Sequence, residues 1–60
     1  MKRKELLRQL EHAGCVFLRH GSRHDLYLNP ANGKKQPIPR HQEIDEGLAR
    51  HIKKYLGIKD

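Results

Sequence analysis

Two histidines flank a short polar turn near the middle of the chain. His20 and His24 stand on either side of Gly21-Ser22-Arg23, within the stretch HGSRHDLYLNP that covers residues 20–30. Histidine is the side chain whose unperturbed pKa, about 6.5, allows it to give or take a proton near neutral pH. His24 directly follows Arg23, whose planar guanidinium is suited to hold a phosphate. His24 is therefore the candidate proton-transfer residue, against the alternative of an ordinary polar residue in a hairpin.

Histidine beside lysines and arginines supplies the groups that a metal-independent ribonuclease needs. RNA carries its own nucleophile, the 2′-hydroxyl, so the protein has to remove its proton, stabilise the charge on phosphorus and protonate the leaving oxygen. This chemistry needs no cofactor and no deep pocket. A zinc site built from His20, His24 and His41 is the competing possibility, but the chain has no Cys-x-x-Cys or His-Glu-x-x-His spacing. The sequence therefore predicts neither a metal nor a cofactor.

The chain is short and strongly basic. Its 60 residues include 13 Lys or Arg and 7 Asp or Glu, so the net charge is +6. We expect one domain over residues 1–60 with a thin core. The charge favours an RNA backbone or an acidic protein as partner over a membrane, because the expected helices lack aromatic anchors apart from Tyr55. A lone cysteine, Cys15, and the lack of a signal peptide or transmembrane segment predict a cytoplasmic protein.

Hydrophobic periodicity and turn residues predict the element order α-β-β-β-α. We expect helices over Lys2–Ala13 and about Glu43–Leu56, and strands over Cys15–Arg19, His24–Asn29 and Lys34–Pro39. The expected apolar stripes are Leu6, Leu7, Leu10 and Ala13 in the first helix, and Ile44, Leu48, Ile52, Tyr55 and Leu56 in the second. Glu43, Asp45 and Glu46 are expected in the first turn of the second helix, where they suit its dipole.

The expected fold class is α+β, a three-stranded antiparallel sheet with two helices on one face and the other face open. Alternation in the second strand predicts that Leu26 and Leu28 face the core, with His24 on the same side at the rim of the sheet. Asp25 then points to the opposite face, which makes it a doubtful partner for the His24 imidazole. Prolines in the third strand, which has Ile38 as its clear core residue, predict that this strand lies at an edge.

These features together resemble the HicA family of toxins, which are bacterial and archaeal mRNA interferases paired with HicB antitoxins. The matching residues are Gly14, Arg19, the Gly21-Ser22-x-His24 turn, and Ile38-Pro39-Arg40-His41 before a helix rich in glutamate. The similarity runs from about Leu6 to Leu56 and implies a fold of the double-stranded-RNA-binding type. It also implies that His24 is the catalytic histidine and that Gly21 and Ser22 form the turn that presents it. Many members have histidine or asparagine where this chain has Arg23.

The resemblance implies the toxin of a type II toxin–antitoxin system, a metal-independent endoribonuclease that cleaves mRNA and inhibits translation. A HicB-like antitoxin is then expected to mask His24. Candidate RNA contacts are Arg19, Ser22, Arg23, Lys34, Lys35 and Arg40. The alternatives are a non-catalytic RNA-binding module of the same fold and a protein-interaction module. The acidic start of the second helix would repel phosphate, which disfavours a module that binds duplex RNA. Dependence on the His24 imidazole separates the enzyme from both alternatives, because only an enzyme should need it.

Overall fold

Two helices flank three consecutive strands in the order α1-β1-β2-β3-α2, as the sequence predicts. The computed structural model describes residues 1–58, so the last two residues of the expected domain lie outside the described part. The elements are α1 Arg3–His12, β1 Val16–His20, β2 His24–Asn29, β3 Lys34–Pro39 and α2 Glu46–Tyr55. The bounds of β2 and β3 are those expected, whereas α2 begins three residues later than predicted.

The strands form one antiparallel sheet in the order β1-β2-β3. β2 is the central strand and β3 lies at an edge, as its two prolines predict. β1 is the other edge strand, and its pairing with β2 contains a bulge between Phe17 and Arg19. The two helices cover one face of the sheet, and the residues that point away from them form what we call the open face. By the strand register, its members are Val16, Arg19, His24, Leu26, Leu28, Lys35, Pro37 and Pro39.

The core lies between the helices and the covered face of the sheet. Its six fully buried large side chains are Leu6, Leu10, Ile38, Ile44, Ile52 and Leu56. Within β3 only Ile38 is buried, as predicted, and Cys15 is buried just before β1. In α1 the expected stripe holds for Leu6 and Leu10, but Ala13 is exposed because it ends the helix. The core is thus small.

The predicted core face of β2 is wrong. Tyr27 and Asn29 are buried against the helices, whereas Leu26 and Leu28 are only half-buried on the open face. The Asn29 side chain donates to the Leu56 carbonyl at 2.7 Å and accepts from the Ala31 N–H at 3.0 Å. These bonds compensate for the burial of a polar amide, which hydrophobic alternation cannot anticipate. His24 does share a face with the two leucines, but this is the open face.

The predicted start of α2 is also wrong, and a capping residue explains the difference. The Asp45 carboxylate accepts from the N–H groups of Gly47 and Leu48, at 3.0 and 3.2 Å, so Asp45 is the N-cap. Glu43 precedes the helix and pairs with Lys2 instead. Consequently Ile44 enters the core from outside α2. The expected stripe also changes, since Leu48 and Tyr55 are exposed and Ala49 is buried.

Candidate functional site

His24 is the first residue of β2 and directly follows the two-residue turn of Ser22 and Arg23. The N–H of Gly21 donates to the His24 carbonyl at 2.7 Å and closes this turn. A Cβ atom at Gly21 would lie 3.1 Å from the same carbonyl oxygen, so the close approach of the two strands favours glycine. The His24 side chain is exposed and makes no hydrogen bond or ion pair within residues 1–58. Its imidazole is therefore accessible to a bound molecule.

Arg40, the first residue after β3, holds this turn from the neighbouring strand. Its Nη2 donates to the carbonyl oxygens of Gly21 and His24, at 2.7 and 3.0 Å. Its Nε donates to the Asp25 carboxylate at 3.0 Å. One guanidinium thus fixes both ends of the turn that presents His24. The prediction that Arg40 contacts RNA phosphate stays a prediction, but several of its N–H groups are engaged within the protein.

Asp25 is the centre of a polar cluster on the covered side of the sheet. Its carboxylate, whose side chain is 13% exposed, accepts from Arg3 at 2.7 Å and Arg40 at 3.0 Å and lies 2.8 Å from Nδ1 of His20. The hydrogen bond with His20, followed by that from Arg40, lowers the pKa of Asp25, although partial burial opposes this shift. Asp25 is therefore a carboxylate at neutral pH. As the sequence predicts, it points away from the His24 face.

His20, the last residue of β1, was not assigned a role from the sequence. Its ring is 75% exposed, yet two contacts set its orientation: the bond between Nδ1 and Asp25, and packing against the Phe17 ring at 4.8 Å between centroids. A signal for this pair was present in the sequence. A two-residue turn places residues 20 and 25 opposite each other on one face of the hairpin, where their side chains meet.

The structure brings some of the predicted RNA contacts close to His24 and separates others. Ser22 and Arg23 form the turn itself, and Arg19 lies on the open face opposite Leu26. Lys35 is on the same face, but it pairs with Leu28, about 13 Å along the strand from His24. Lys34 lies on the covered side at the far end of β3, with its ammonium 5.2 Å from the centre of the Tyr55 ring. Lys34 is therefore not part of a cluster around His24.

A basic cleft adjoins the other side of the turn and was missed from the sequence. It has a volume of about 410 Å³ and is lined by Lys2, Arg3, Lys4, Arg40 and Gln42. The first residues of α1 reach this place because Arg3 donates from Nε to the Pro39 carbonyl at 2.7 Å, which docks α1 beside the end of β3. Arg40 is common to the cleft and to the turn, so basic groups continue from His24 towards α1.

Two further structural features bear on function. Within residues 1–58, no three His, Cys, Asp or Glu side chains are grouped so that they would hold a metal ion, and His41 is simply exposed after Arg40. No helix in the described part of the chain is long and apolar enough to cross a membrane.

A protein-family profile described as "HicA toxin of bacterial toxin-antitoxin" matches residues 3–58, which is nearly the whole chain. Neither the curated proteins nor the solved structures include a significant match.

Proposed function

The chain belongs to the HicA family of bacterial toxins, and from this premise we propose that it is an endoribonuclease that cleaves mRNA with His24 as a proton-transfer residue. Membership makes it the toxin of a toxin–antitoxin pair, with an antitoxin as its partner. The observation that carries the enzymatic proposal is the presentation of His24. Its imidazole is exposed at the tip of a hairpin, and Arg40 fixes the backbone on both sides of that tip.

This arrangement suits cleavage of a polymer that is bound across a surface. A general acid or base has to come within hydrogen-bond reach of the reacting oxygen, and an exposed imidazole at a hairpin tip satisfies this for an RNA strand laid over the turn. Fixing the turn keeps the imidazole in place without an enclosing pocket, since positioning is itself a large part of catalysis.

The charge distribution supports RNA as the substrate. Arg23 directly precedes His24, Arg19 lies on the open face opposite Leu26, and the basic cleft extends the positive surface beyond Arg40. Acidic groups neutralise part of this charge: Asp25 pairs with Arg3 and Arg40, and Glu43 pairs with Lys2. The two carboxylates do not offset all the cations of the cleft, where Lys4 has no ion pair within residues 1–58. A phosphate backbone is therefore attracted to both sides of the turn.

We propose that the antitoxin is a HicB-like protein that lies on the open face and masks His24. The centre of this face is apolar, with Val16 46% exposed and Leu26 and Leu28 half-buried, and Arg19 and Lys35 are its basic members. A partner with an apolar centre and acidic residues around it complements this pattern. Burial of this face would also stabilise a domain that has a small core, because any ligand that binds only the folded state does so.

A non-catalytic RNA-binding module is the second candidate, and the same basic surface favours it. A substitution of His24 distinguishes the two functions, since RNA binding depends on the cations whereas cleavage depends on the imidazole. His24→Ala should reduce cleavage of RNA by about 10²- to 10⁴-fold, the usual contribution of a general acid or base. It should also abolish growth inhibition and leave RNA binding and thermal unfolding unchanged.

His12→Ala is the matched control, because His12 is an exposed histidine at the end of α1. Cleavage by the His24→Ala protein at the wild-type rate would reject the catalytic proposal and leave the binding module. For the antitoxin, hydrogen exchange of the chain with and without its partner tests the masking. Protection confined to the outer surfaces of α1 and α2, with the His24 turn unchanged, would contradict it.

A further inference from the structure

The basic cleft beside the His24 turn is formed by separate parts of the chain that hydrogen bonds hold together. The N–H of Arg3 donates to the Gln42 carbonyl at 2.8 Å, and Nε of Arg3 donates to the Pro39 carbonyl at 2.7 Å. Next to them, Lys2 forms a backbone bridge with Glu43. These contacts join the start of α1 to the end of β3 and to the segment before α2. The cleft is therefore part of the folded structure and does not have to form on binding.

The lining of the cleft contains hydrogen-bond donors that have no acceptor in the protein. The Lys4 ammonium and the Gln42 side-chain amide make no hydrogen bond or ion pair within residues 1–58. Arg3 donates from Nε and Nη2, which leaves its Nη1 without an acceptor in the described part of the chain. Donors that also carry positive charge suit an anion with several oxygen acceptors.

The charge of the cleft is not balanced by its neighbours. Four cations line it, and two carboxylates pair with them within residues 1–58: Asp25 with Arg3 and Arg40, and Glu43 with Lys2 at 3.2 Å. Both side chains of the pair between Lys2 and Glu43 are exposed, at 76% and 63%, so solvent screens this pair and the bond is weak. The cleft therefore attracts a negatively charged ligand.

The composition of the lining favours a backbone phosphate over a base or a protein. The lining residues include no aromatic ring on which a base could stack. They also include no apolar side chain of the kind that forms the centre of a protein interface. Contacts between cations and backbone phosphates need neither feature, and they position a strand without reading its sequence. The cleft is thus suited to a nucleic-acid backbone whatever its bases.

Arg40 connects the cleft to the turn that presents His24, since it lines the cleft and donates from Nη2 to the His24 carbonyl at 3.0 Å. We propose that the cleft is a subsite for a backbone phosphate of a nucleotide beside the cleavage position, an assignment that rests on the ribonuclease function proposed above. The phosphate in the cleft and the phosphate at His24 are different ones, so no group has to reach both. The substrate is then a strand that extends beyond the turn.

Lys4→Gln tests the subsite, because the Lys4 side chain is exposed and makes no bond that supports the fold within residues 1–58. The probe is a single-stranded 2′-O-methyl oligonucleotide, which binds without being cleaved because its 2′-oxygen carries no proton. Lys4→Gln should weaken binding roughly fivefold at 100 mM salt, the counterion-release contribution of one phosphate contact, and lower the log–log salt slope by about 0.7. Oligo-adenylate and oligo-uridylate should lose affinity equally. Glu43→Gln frees the Lys2 ammonium and should strengthen binding.

Lys54→Gln is the matched control, because Lys54 is an exposed lysine in the last turn of α2 and does not line the cleft. It should bind the probe like the wild type. On a cleavable RNA that extends beyond the turn, Lys4→Gln should raise KM by about the same factor of five with kcat unchanged. This split is expected because a contact away from the reacting phosphorus binds the substrate and the transition state equally.

Three outcomes would overturn the subsite. Binding shifts in Lys4→Gln and Glu43→Gln that are absent or of the same sign take the phosphate out of the cleft. A glutamate-rich peptide of the same charge that binds as tightly as the oligonucleotide, and loses affinity in Lys4→Gln, assigns the cleft to an acidic protein segment. A wild-type protein that neither binds the oligonucleotide nor cleaves RNA overturns the proposed ribonuclease as well, whereas in the first two outcomes the wild type still cleaves RNA.

Discussion

Replacing Arg40 with lysine distinguishes a residue that holds the turn from one that binds RNA phosphate. Lysine keeps the positive charge, but its single ammonium cannot span the acceptors that the guanidinium contacts, which are the carbonyls of Gly21, Ser22 and His24 and the Asp25 carboxylate. We therefore expect the turn around His24 to lose order while the net charge of the surface stays the same.

The size of the effect follows from the bonds that are lost. The two shorter hydrogen bonds to carbonyl oxygens, those to Gly21 and His24, each contribute about 0.5–1.5 kcal/mol, and the Arg40 side chain is 42% exposed, which favours the lower part of that range. Together they amount to about 1–2 kcal/mol of turn ordering. This corresponds to a roughly 5- to 30-fold smaller population of the aligned turn. We expect kcat for RNA cleavage to fall by that factor with little change in KM, a smaller loss than for His24→Ala.

The assay is steady-state cleavage of one RNA by the wild type, Arg40→Lys and Arg50→Lys, with circular dichroism and thermal unfolding as checks on the fold. Arg50 lies exposed on α2 and serves as the matched control. A raised KM with an unchanged kcat would refute the positioning role and support the phosphate contact that the sequence predicts. A loss of kcat as large as that of His24→Ala would instead place the guanidinium at the reacting phosphate.

Three other predictions concern ions. RNA affinity should fall by roughly one to two decades between 50 and 200 mM salt if three or four cations contact a single strand, with a log–log slope near −0.7 per contact; a flat dependence would assign the positive charge to a protein partner. Cleavage should persist in excess EDTA, because histidines and cations suffice for this reaction class; loss on chelation and recovery with one metal would contradict this. The Asp25 carboxyl, whose pKa is lowered in the folded state, should stabilise the fold above its unfolded pKa of about 3.9 and cease to do so as pH falls through the folded value. Urea unfolding between pH 6 and pH 2 should therefore show a weaker acid dependence for Asp25→Asn than for the control Glu11→Gln, and equal dependence would reject the assignment.

The elements of this fold could be predicted because their signals are local. Glycines and turn residues mark the strand ends, so β2 and β3 have the expected bounds, and the two prolines of β3 identify an edge strand. The contacts that these elements make with distant parts of the chain have no such local signals. The burial of Asn29 depends on a carbonyl at the end of α2, 27 residues away, and reversed the predicted face of β2. The start of α2 depends on which of three acidic residues caps the helix, and only Asp45 does so.

In the candidate site, too, local signals predict some features but not the contacts between distant residues. His24 could be proposed as the catalytic candidate from its type, its position after the turn and the family resemblance. The groups that hold the turn come from separate parts of the chain, since Arg3 and Asp25 are 22 residues apart and Arg40 lies 15 residues beyond Asp25. In a basic sequence, an arginine is most simply interpreted as a phosphate contact. Only the docking of α1 beside β3 shows that Arg3 and Arg40 also donate to the Asp25 carboxylate. Long-range ion pairs of this kind leave no periodic pattern in a sequence.

If the proposed function holds, the small size of the domain links catalysis to its control. A core of a few aliphatic side chains cannot enclose a substrate, so His24 has to be at the surface, and a polar cluster of two arginines and one carboxylate fixes its hairpin instead of burial. A surface site of this type is accessible to any RNA strand at all times. The same open face that presents His24 carries the apolar residues Val16, Leu26 and Leu28, which the domain has too few elements to cover. A protein that buries this face gains apolar contact area and denies RNA access to His24 in one step, so RNA and the antitoxin should compete for the chain rather than bind it together.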